Sequence, residues 1–433
     1  MNLFYDSILT FRGIFDYNRF LSRSQFFTND QIIDYQKYHL KKLLIHCQLH
    51  IPWYSKKFRQ FDINAHSSDP FRELSKLPIL TKDEVLLNHS DFFNVNFLNK
   101  SLKFHTSGTT GQPLLSYTSS NQWIKEQGCI WRQWKWADYS FRDRIAIFRS
   151  YSPDANEPLI KLDRLKNWCY FSVFNMDDTS LKKYFDFLDK WKPRFLRAYP
   201  SSLLLLSQYA LKHNRHIPSL KAAFVASESL HPDLRGIVDR AFNIPVFDHY
   251  GQAETTCMFH DCEEHKGMHV DWEYGYVELL KSNNSPHCNI IATNLHNLAM
   301  PLLRYDTGDI TDSEWKSCSC KRTSPVINKI FGRQDDFIFS SDGSKISTVN
   351  IYTFFSKFSE IKRFQIVQNR IGYLNITISL HSDLNNQSNL NSLENRIYSY
   401  FTSFSGLKIS TAYSEDWIQS PEGKFSSFIQ RSI

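Results

Sequence analysis

The segment Thr106-Ser107-Gly108-Thr109-Thr110-Gly111-Gln112-Pro113 gathers hydroxyls and glycines with little side-chain bulk. Phosphate oxygens need many hydrogen-bond donors and close backbone approach, and a loop of this composition offers both. No lysine follows its second glycine, so it is not a Walker A loop. Taken alone, a solvated Ser/Thr turn is an equal alternative. A second set with chemistry in it is Cys262-x-x-His265 followed by Cys318-x-Cys320, with Cys257, His260 and His269 close to its first half. Thiolates plus one imidazole make a closed tetrahedral shell suited to structural Zn²⁺, without the open position that catalysis needs. Buried or free thiols are the alternative for that set.

Three more segments lie further along the chain. Ala226-Ser227-Glu228-Ser229 follows an apolar run that reads as a strand, and Tyr250-Gly251-Gln252-Ala253-Glu254 and Arg304-Tyr305-Asp306-Thr307-Gly308-Asp309 come after it. With the loop at 106–113 they resemble, in order, the motifs of the adenylate-forming superfamily. Pro52-Trp53-Tyr54, Leu77-Pro78-Ile79-Leu80-Thr81-Lys82 and Met300-Pro301-Leu302-Leu303-Arg304-Tyr305 resemble its phenylacetate–CoA ligase branch, including capsule-locus relatives. The likeness runs from about residue 40 to the end of the sequence.

That resemblance implies roles residue by residue. Ser107, Gly108, Thr109, Thr110 and Gly111 would cradle the ATP phosphates, and Ser227 and Glu228 would sit at the adenine. Tyr250, beside Gly251, offers an aromatic face for the purine, and Asp309 can accept two ribose hydroxyls through its two carboxylate oxygens. Glu254 offers a hard oxygen to Mg²⁺ on the phosphates. Arg333 would lie near ribose and phosphates, and Asp335, in Gly332-Arg333-Gln334-Asp335-Asp336, would be the hinge of a mobile small domain. Lys424, in Gly423-Lys424-Phe425, matches the lysine that such a domain brings to the reacting carboxylate and α-phosphate. Thr106, Glu254 and Lys424 are then the catalytic residues. Related ligases show a Cys/His and Cys-x-Cys pairing like the one here, which strengthens structural zinc on Cys262, His265, Cys318 and Cys320.

The implied activity is ATP-dependent activation of a carboxylate as an acyl-adenylate, followed by transfer to a thiol, coenzyme A. An alternative acceptor is an amine on a surface-polysaccharide precursor. A non-catalytic nucleotide-binding homologue is a third reading; the joint presence of Glu254, Asp309 and Lys424 speaks against it. The small residues usual beside the acyl pocket are hard to place after Tyr199-Pro200-Ser201-Ser202, so the acid is not carried over from the family.

The elements that must position these residues follow from pattern. Apolar residues between Asn29 and Cys47 keep a helical period, and Thr81 with Glu84 reads as a capping box after Pro78. Strand-like runs at 144–148, 222–226, 244–247, 276–280 and 289–293 alternate with helical stretches at 121–136 and 203–211, which predicts an α/β large domain with mixed β-sheets. Beyond Gly332 the pattern becomes a compact α+β one: helix at 349–358, strands at 363–367 and 374–379, helix at 393–401, strand at 407–411. The expected division is a large ATP- and carboxylate-binding domain, 1–334, and a small mobile domain, 335–433.

A chain of 433 residues exceeds a single core, and 42% hydrophobic residues with 35 Phe and 21 Tyr supply two. The net charge of +7 suits a polyanion such as ATP, but the cations are dispersed, which argues against nucleic acid. No run is long and apolar enough for a signal core or a membrane span, and eight cysteines without a secretory signal point to the cytoplasm. Oligomeric state is not written in the sequence.

Overall fold

A computed structural model of the chain describes residues 3–105, 114–151, 153, 157–228, 230, 233–281, 287–311, 314–333, 337–341, 345–355, 358, 360–380, 387–402, 407–419 and 425–430. The loop at 106–113, Asp335 and Lys424 lie outside the described residues. The chain divides into two compact units, with the boundary between Phe331 and Gly332.

The large unit is built on a nine-stranded mixed sheet. Its centre is parallel, in the order Val246–Gly251, Ala222–Ala226, Phe195–Ala198, Ile145–Phe148, Trp168–Phe171. Such strands are covered on both faces, which is why Ile145–Phe148 and Ala222–Ala226 are apolar without a break and buried throughout. Alternation splits them cleanly. Ile145, Ile147, Phe195 and Phe224 meet Trp134 of the helix Ser120–Trp136, whereas Ala146, Phe148, Leu196 and Val225 meet the opposite layer. That layer is Asp178–Trp191, Pro200–Lys212 and Leu234–Phe242.

A second, smaller sheet pairs Gly275–Lys281, Cys288–Asn294 and Tyr305–Thr311 antiparallel, with Ile330–Arg333 as its last strand. The N-terminal helices Asn29–His50 and Pro52–Gln60 pack Leu44, Trp53 and Tyr54 against Met300, Leu302 and Tyr305. The Tyr54 hydroxyl accepts from the Leu303 amide at 2.8 Å, which ties the Pro-Trp-Tyr segment to the strand carrying Asp309. The first of these helices opens on a full capping box between Thr28 and Gln31. At Thr81 the side chain accepts from the Glu84 amide, one half of the expected capping box, and the Glu84 carboxylate lies 3.4 Å from Lys57.

In the small unit, Ile361–Arg370 and Tyr373–Leu380 form an antiparallel pair, flanked in parallel by Phe428–Gln430 and Lys408–Tyr413. The helices Thr348–Phe355 and Gln387–Thr402 bury Ile351, Phe355, Ile397 and Phe401 against Phe364, Ile366, Ile376 and Ile378. Among the described residues no helix is long and apolar enough to cross a membrane.

Candidate active site

In open α/β sheets ligands gather beyond the carboxyl ends of the parallel strands. Here those ends carry Arg149, Ser227 and the run His249 to Gly251. Ser227 is exposed, adopts φ 75°, and accepts a hydrogen bond from Arg149 at 3.2 Å. A non-glycine residue in the left-handed region needs support from its surroundings and is found often at functional turns. Glu228 turns inward and accepts from both the amide and the hydroxyl of Ser201 at 2.9 Å, so it caps the helix Pro200–Lys212. The turn expected at the adenine is thereby fixed to the sheet's far layer.

Tyr250 and Asp309, 59 residues apart in sequence, meet: the phenol donates to Asp309 Oδ2 at 2.5 Å. Burial, then the neighbouring Asp309 charge, pushes the Tyr250 phenol up, so it keeps its proton and remains the donor. One oxygen of Asp309 is therefore shared. Carboxylate oxygens carry two lone pairs each, so two ribose hydroxyls still find acceptors.

Glu254 is buried, and its Oε1 accepts from the Tyr305 hydroxyl at 3.0 Å. Two contacts hold the turn that follows it. Gln122 donates to the Thr255 carbonyl at 2.8 Å, and a Cβ at Gly275 would lie 2.0 Å from the Thr256 carbonyl oxygen, so only glycine fits there. Tyr305, Gln122 and Gly275 thus position Glu254. Sequence motifs named the carboxylate but not this support, because its members come from three distant segments. A carboxylate with one oxygen held this way suits a magnesium ion on the other.

The cysteine set gathers, with one correction. Cys262, Cys318, Cys320 and His269 bring their donor atoms within 4.8 Å of one another, and the imidazole is that of His269, not the expected His265. His265 instead occupies a left-handed turn (φ 50°) and pairs through Nδ1 with Asp261 at 3.0 Å. His269 sits on the strand Met268–Val270, opposite Val326, and this pairing returns it to the Cys-x-Cys segment. The three-residue spacing from Cys262 to His265 pointed to the nearer histidine, whereas the antiparallel ladder selects the other. The distances fit a tetrahedral ion: Zn–S of 2.3 Å puts thiolate sulfurs about 3.8 Å apart and a sulfur about 3.6 Å from an imidazole nitrogen. Cys262 and Cys318 are 3.7 Å apart, and Cys320 lies 3.4 Å from His269 Nε2. His269 Nδ1 faces Ser324 Oγ at 2.8 Å and its carbonyl at 3.2 Å, which leaves Nε2 as the ligating atom. Burial holds this ring down to about 4, hence neutral, as a ligand must be.

Of the remaining expected positions, Gly251 is exposed at the end of its strand and Arg333 ends the last strand of the small sheet. Thr106, Ser107, Gly108, Thr109, Thr110, Gly111, Asp335 and Lys424 fall outside the described residues.

Comparison with known proteins supplies the family context. Residues 338–431 match the CapK C-terminal domain. Over 329 residues the chain is 25% identical to Protein CapK of Staphylococcus aureus, covering 72% of this chain and 70% of that one. It is 25% identical over 379 residues to the phenylacetate-coenzyme A ligase of Escherichia coli K12, covering 83% and 84%. The crystal structure of 2-hydroxyisobutyryl-CoA ligase in the postadenylation state superposes with a TM-score of 0.72 over 95% of this chain and 92% of that one, at 16% identity. The chain is thus homologous to CapK and to phenylacetate-coenzyme A ligases, and its fold is that of the adenylate-forming CoA ligases.

Proposed function

We propose that this chain is an ATP-dependent, AMP-forming ligase that activates a carboxylate and transfers the acyl group to coenzyme A. The observation that carries this reading is the convergence of Tyr250 with Asp309 and of Glu254 with Tyr305, two long-range pairs that set a ribose acceptor and a metal-binding carboxylate in one region of the large unit. Homology to phenylacetate-coenzyme A ligases supports it.

In the first half-reaction a carboxylate oxygen attacks the α-phosphorus, the bond to the bridging oxygen breaks, and pyrophosphate leaves with that electron pair. Asp309 holds the ribose, Ser227 and the Tyr250 ring border the adenine, and Arg333 lies near the ribose and phosphates. The loop Ser107 to Gly111, entered at Thr106, holds the phosphates. Magnesium at Glu254 would neutralise phosphate charge. Lys424 steadies the charge that builds between acid and α-phosphate. In the second half-reaction the small domain, 335–433, turns about Asp335, Lys424 withdraws, and a thiolate attacks the acyl carbon to release AMP.

The match of the small unit to the CapK C-terminal domain favours a second reading in which the acceptor is an amine, such as one on a surface-polysaccharide precursor. One experiment separates the readings: pyrophosphate release from ATP with a panel of carboxylates, then addition of coenzyme A or amines. Acid-dependent pyrophosphate followed by CoA-dependent turnover is expected. Turnover with amines alone would move the acceptor, and silence with every acid would leave only a nucleotide-binding role.

Cys262, His269, Cys318 and Cys320 hold a structural zinc ion in this reading, cross-linking the segment after Glu254 to the one after Asp309. Purified protein is expected to carry about one zinc per chain and Cys318→Ser to lose it, with a lowered unfolding midpoint. Equal, negligible metal in both proteins would remove the zinc.

A further inference from the structure

The helix Leu3–Asp16 carries apolar residues on two faces. One face is spent on the fold. Leu9 is buried, and Gly13 comes so close to the helix Ser120–Trp136 that a Cβ there would stand 2.5 Å from the Gln127 Cβ. Gly128 meets it from the other side, where a Cβ would lie 3.1 Å from the Gly13 carbonyl oxygen. Asp16 closes the contact with an ion pair to Lys125 at 2.8 Å. Two glycines packed backbone to backbone leave little room for the helix to roll, so the direction of its second face is fixed.

That second face points into solvent. Ile8, Phe11, Arg12 and Phe15 recur at helical spacing, Arg19 follows one turn on, and they line a shallow groove together with Asp16 and Ile124. Phe15 is 65% exposed. Phe141 is 53% exposed and packs edge-on to Phe11, with ring centroids 5.6 Å apart. It is held out by a fixed turn: the Asp143 amide donates to the Ser140 carbonyl at 2.9 Å, and the Asn167 side chain donates to the Arg142 carbonyl at 2.7 Å. The rim of this apolar stripe is cationic, since Arg12, Arg19, Arg23 and Arg142 are all exposed. Arg23 folds back to donate to the Arg19 carbonyl, which keeps its guanidinium beside the stripe. The nearby acids are engaged elsewhere, Asp16 with Lys125 and Asp143 with Arg194 at 2.8 Å. Among the described residues no carboxylate lies within ion-pair distance of these four guanidinium groups.

We propose that this face is a peripheral membrane-binding surface, on which the helix lies in the plane of a bilayer rich in anionic phospholipid. Ile8, Phe11, Phe15 and Phe141 enter the boundary between headgroups and acyl chains, and Arg12, Arg19, Arg23 and Arg142 meet the phosphates. An exposed apolar stripe with a cationic rim is the pattern that gains from both parts of such a surface. A planar guanidinium also pairs with phosphate through two parallel hydrogen bonds. Charge selects this occupant over a second copy of the chain. A twofold contact through the stripe would set the same guanidinium groups against each other, and the groove's one carboxylate, Asp16, is already bound to Lys125. The inference stands apart from the ligase reading, because none of these residues belongs to the nucleotide site.

The test is cosedimentation of the full chain with vesicles of phosphatidylcholine alone or of equal parts phosphatidylcholine and phosphatidylglycerol. Wild type is expected to bind the mixed vesicles at least about tenfold more tightly, with the difference shrinking as salt is raised. The pair Phe11→Ser with Phe15→Ser should weaken binding to the mixed vesicles at least about tenfold. The pair Arg12→Gln with Arg19→Gln should remove most of the preference for phosphatidylglycerol. Thermal melting checks that each variant folds, and Phe15→Ser alone, at the most exposed ring, stands in if the double variant does not. Sedimentation velocity without lipid reads the competing occupant. Absence of binding, equal binding to both vesicle types, or undiminished binding by a folded phenylalanine variant would overturn the membrane surface. So would a dimer in solution that the phenylalanine substitutions dissociate, which would give the face to a second copy.

Discussion

Replacing Lys424 by alanine is expected to slow acyl-adenylate formation about a hundredfold or more, an increase in barrier of about 2.7 kcal/mol. The size follows from where charge develops. As the carboxylate approaches the α-phosphate, two anions are pressed together, and a cation between them gains most at the transition state. The next residue has a secure seat within the small unit. Phe425 bridges back to Gln419, packs edge-on to Trp417 at 5.5 Å, and has the Arg363 guanidinium 4.6 Å from its ring. Acid-dependent ATP–pyrophosphate exchange reads the first half-reaction, and transfer from preformed acyl-adenylate reads the second. The loss should fall on exchange and spare transfer. If exchange survived and transfer collapsed, Lys424 would belong to the second half-reaction.

The sequence revealed the ligand-facing carboxylates more readily than it revealed what holds them. Glu254 and Asp309 stand in contiguous motifs, and contiguous motifs are visible in a string of letters. Their partners Tyr305 and Tyr250 are visible too, but the pairing Tyr250–Asp309 joins two sheets, the pairing Tyr305–Glu254 joins a strand to a turn, and neither has a spacing signature. The strands at 144–148 and 222–226 were legible because a doubly covered strand is apolar throughout. His269 was passed over for the same reason that the strands were found. Local spacing dominates such reading, and a cross-strand register chose the more distant ring. Arg149 gave no local sign at all. It is one cation just past the end of a short strand, and only the parallel register sets Arg197 beside Ile147, two residues before Arg149.

The same limit hides the buried charge network behind the site, whose disruption is expected to have the largest effect on folding. Arg132 is 2% exposed, and its guanidinium reaches Asp271 at 2.6 Å and Glu273 at 2.7 Å. Asp271 also contacts His260 Nδ1 at 2.5 Å, and Glu273 accepts from Ser24. Arg132→Met keeps much of the apolar stem but strands two carboxylates in the core, at a cost of about 3–5 kcal/mol in urea unfolding. The pH dependence separates this from a simple packing defect. In the wild type burial acts to raise Asp271, but His260 and Arg132 outweigh it and hold this carboxyl below its usual value. Its contribution to stability is therefore present above the unfolded-state pKa and lost as pH falls through the lower native one. Without Arg132 burial gains ground, the native carboxyl takes up a proton more readily than the unfolded one, and acid should relieve part of the damage. The stability gap between wild type and Arg132→Met is expected to narrow from pH 7 towards pH 4. A gap that stayed constant across that range would mean that lost packing, and not stranded charge, accounts for the destabilisation.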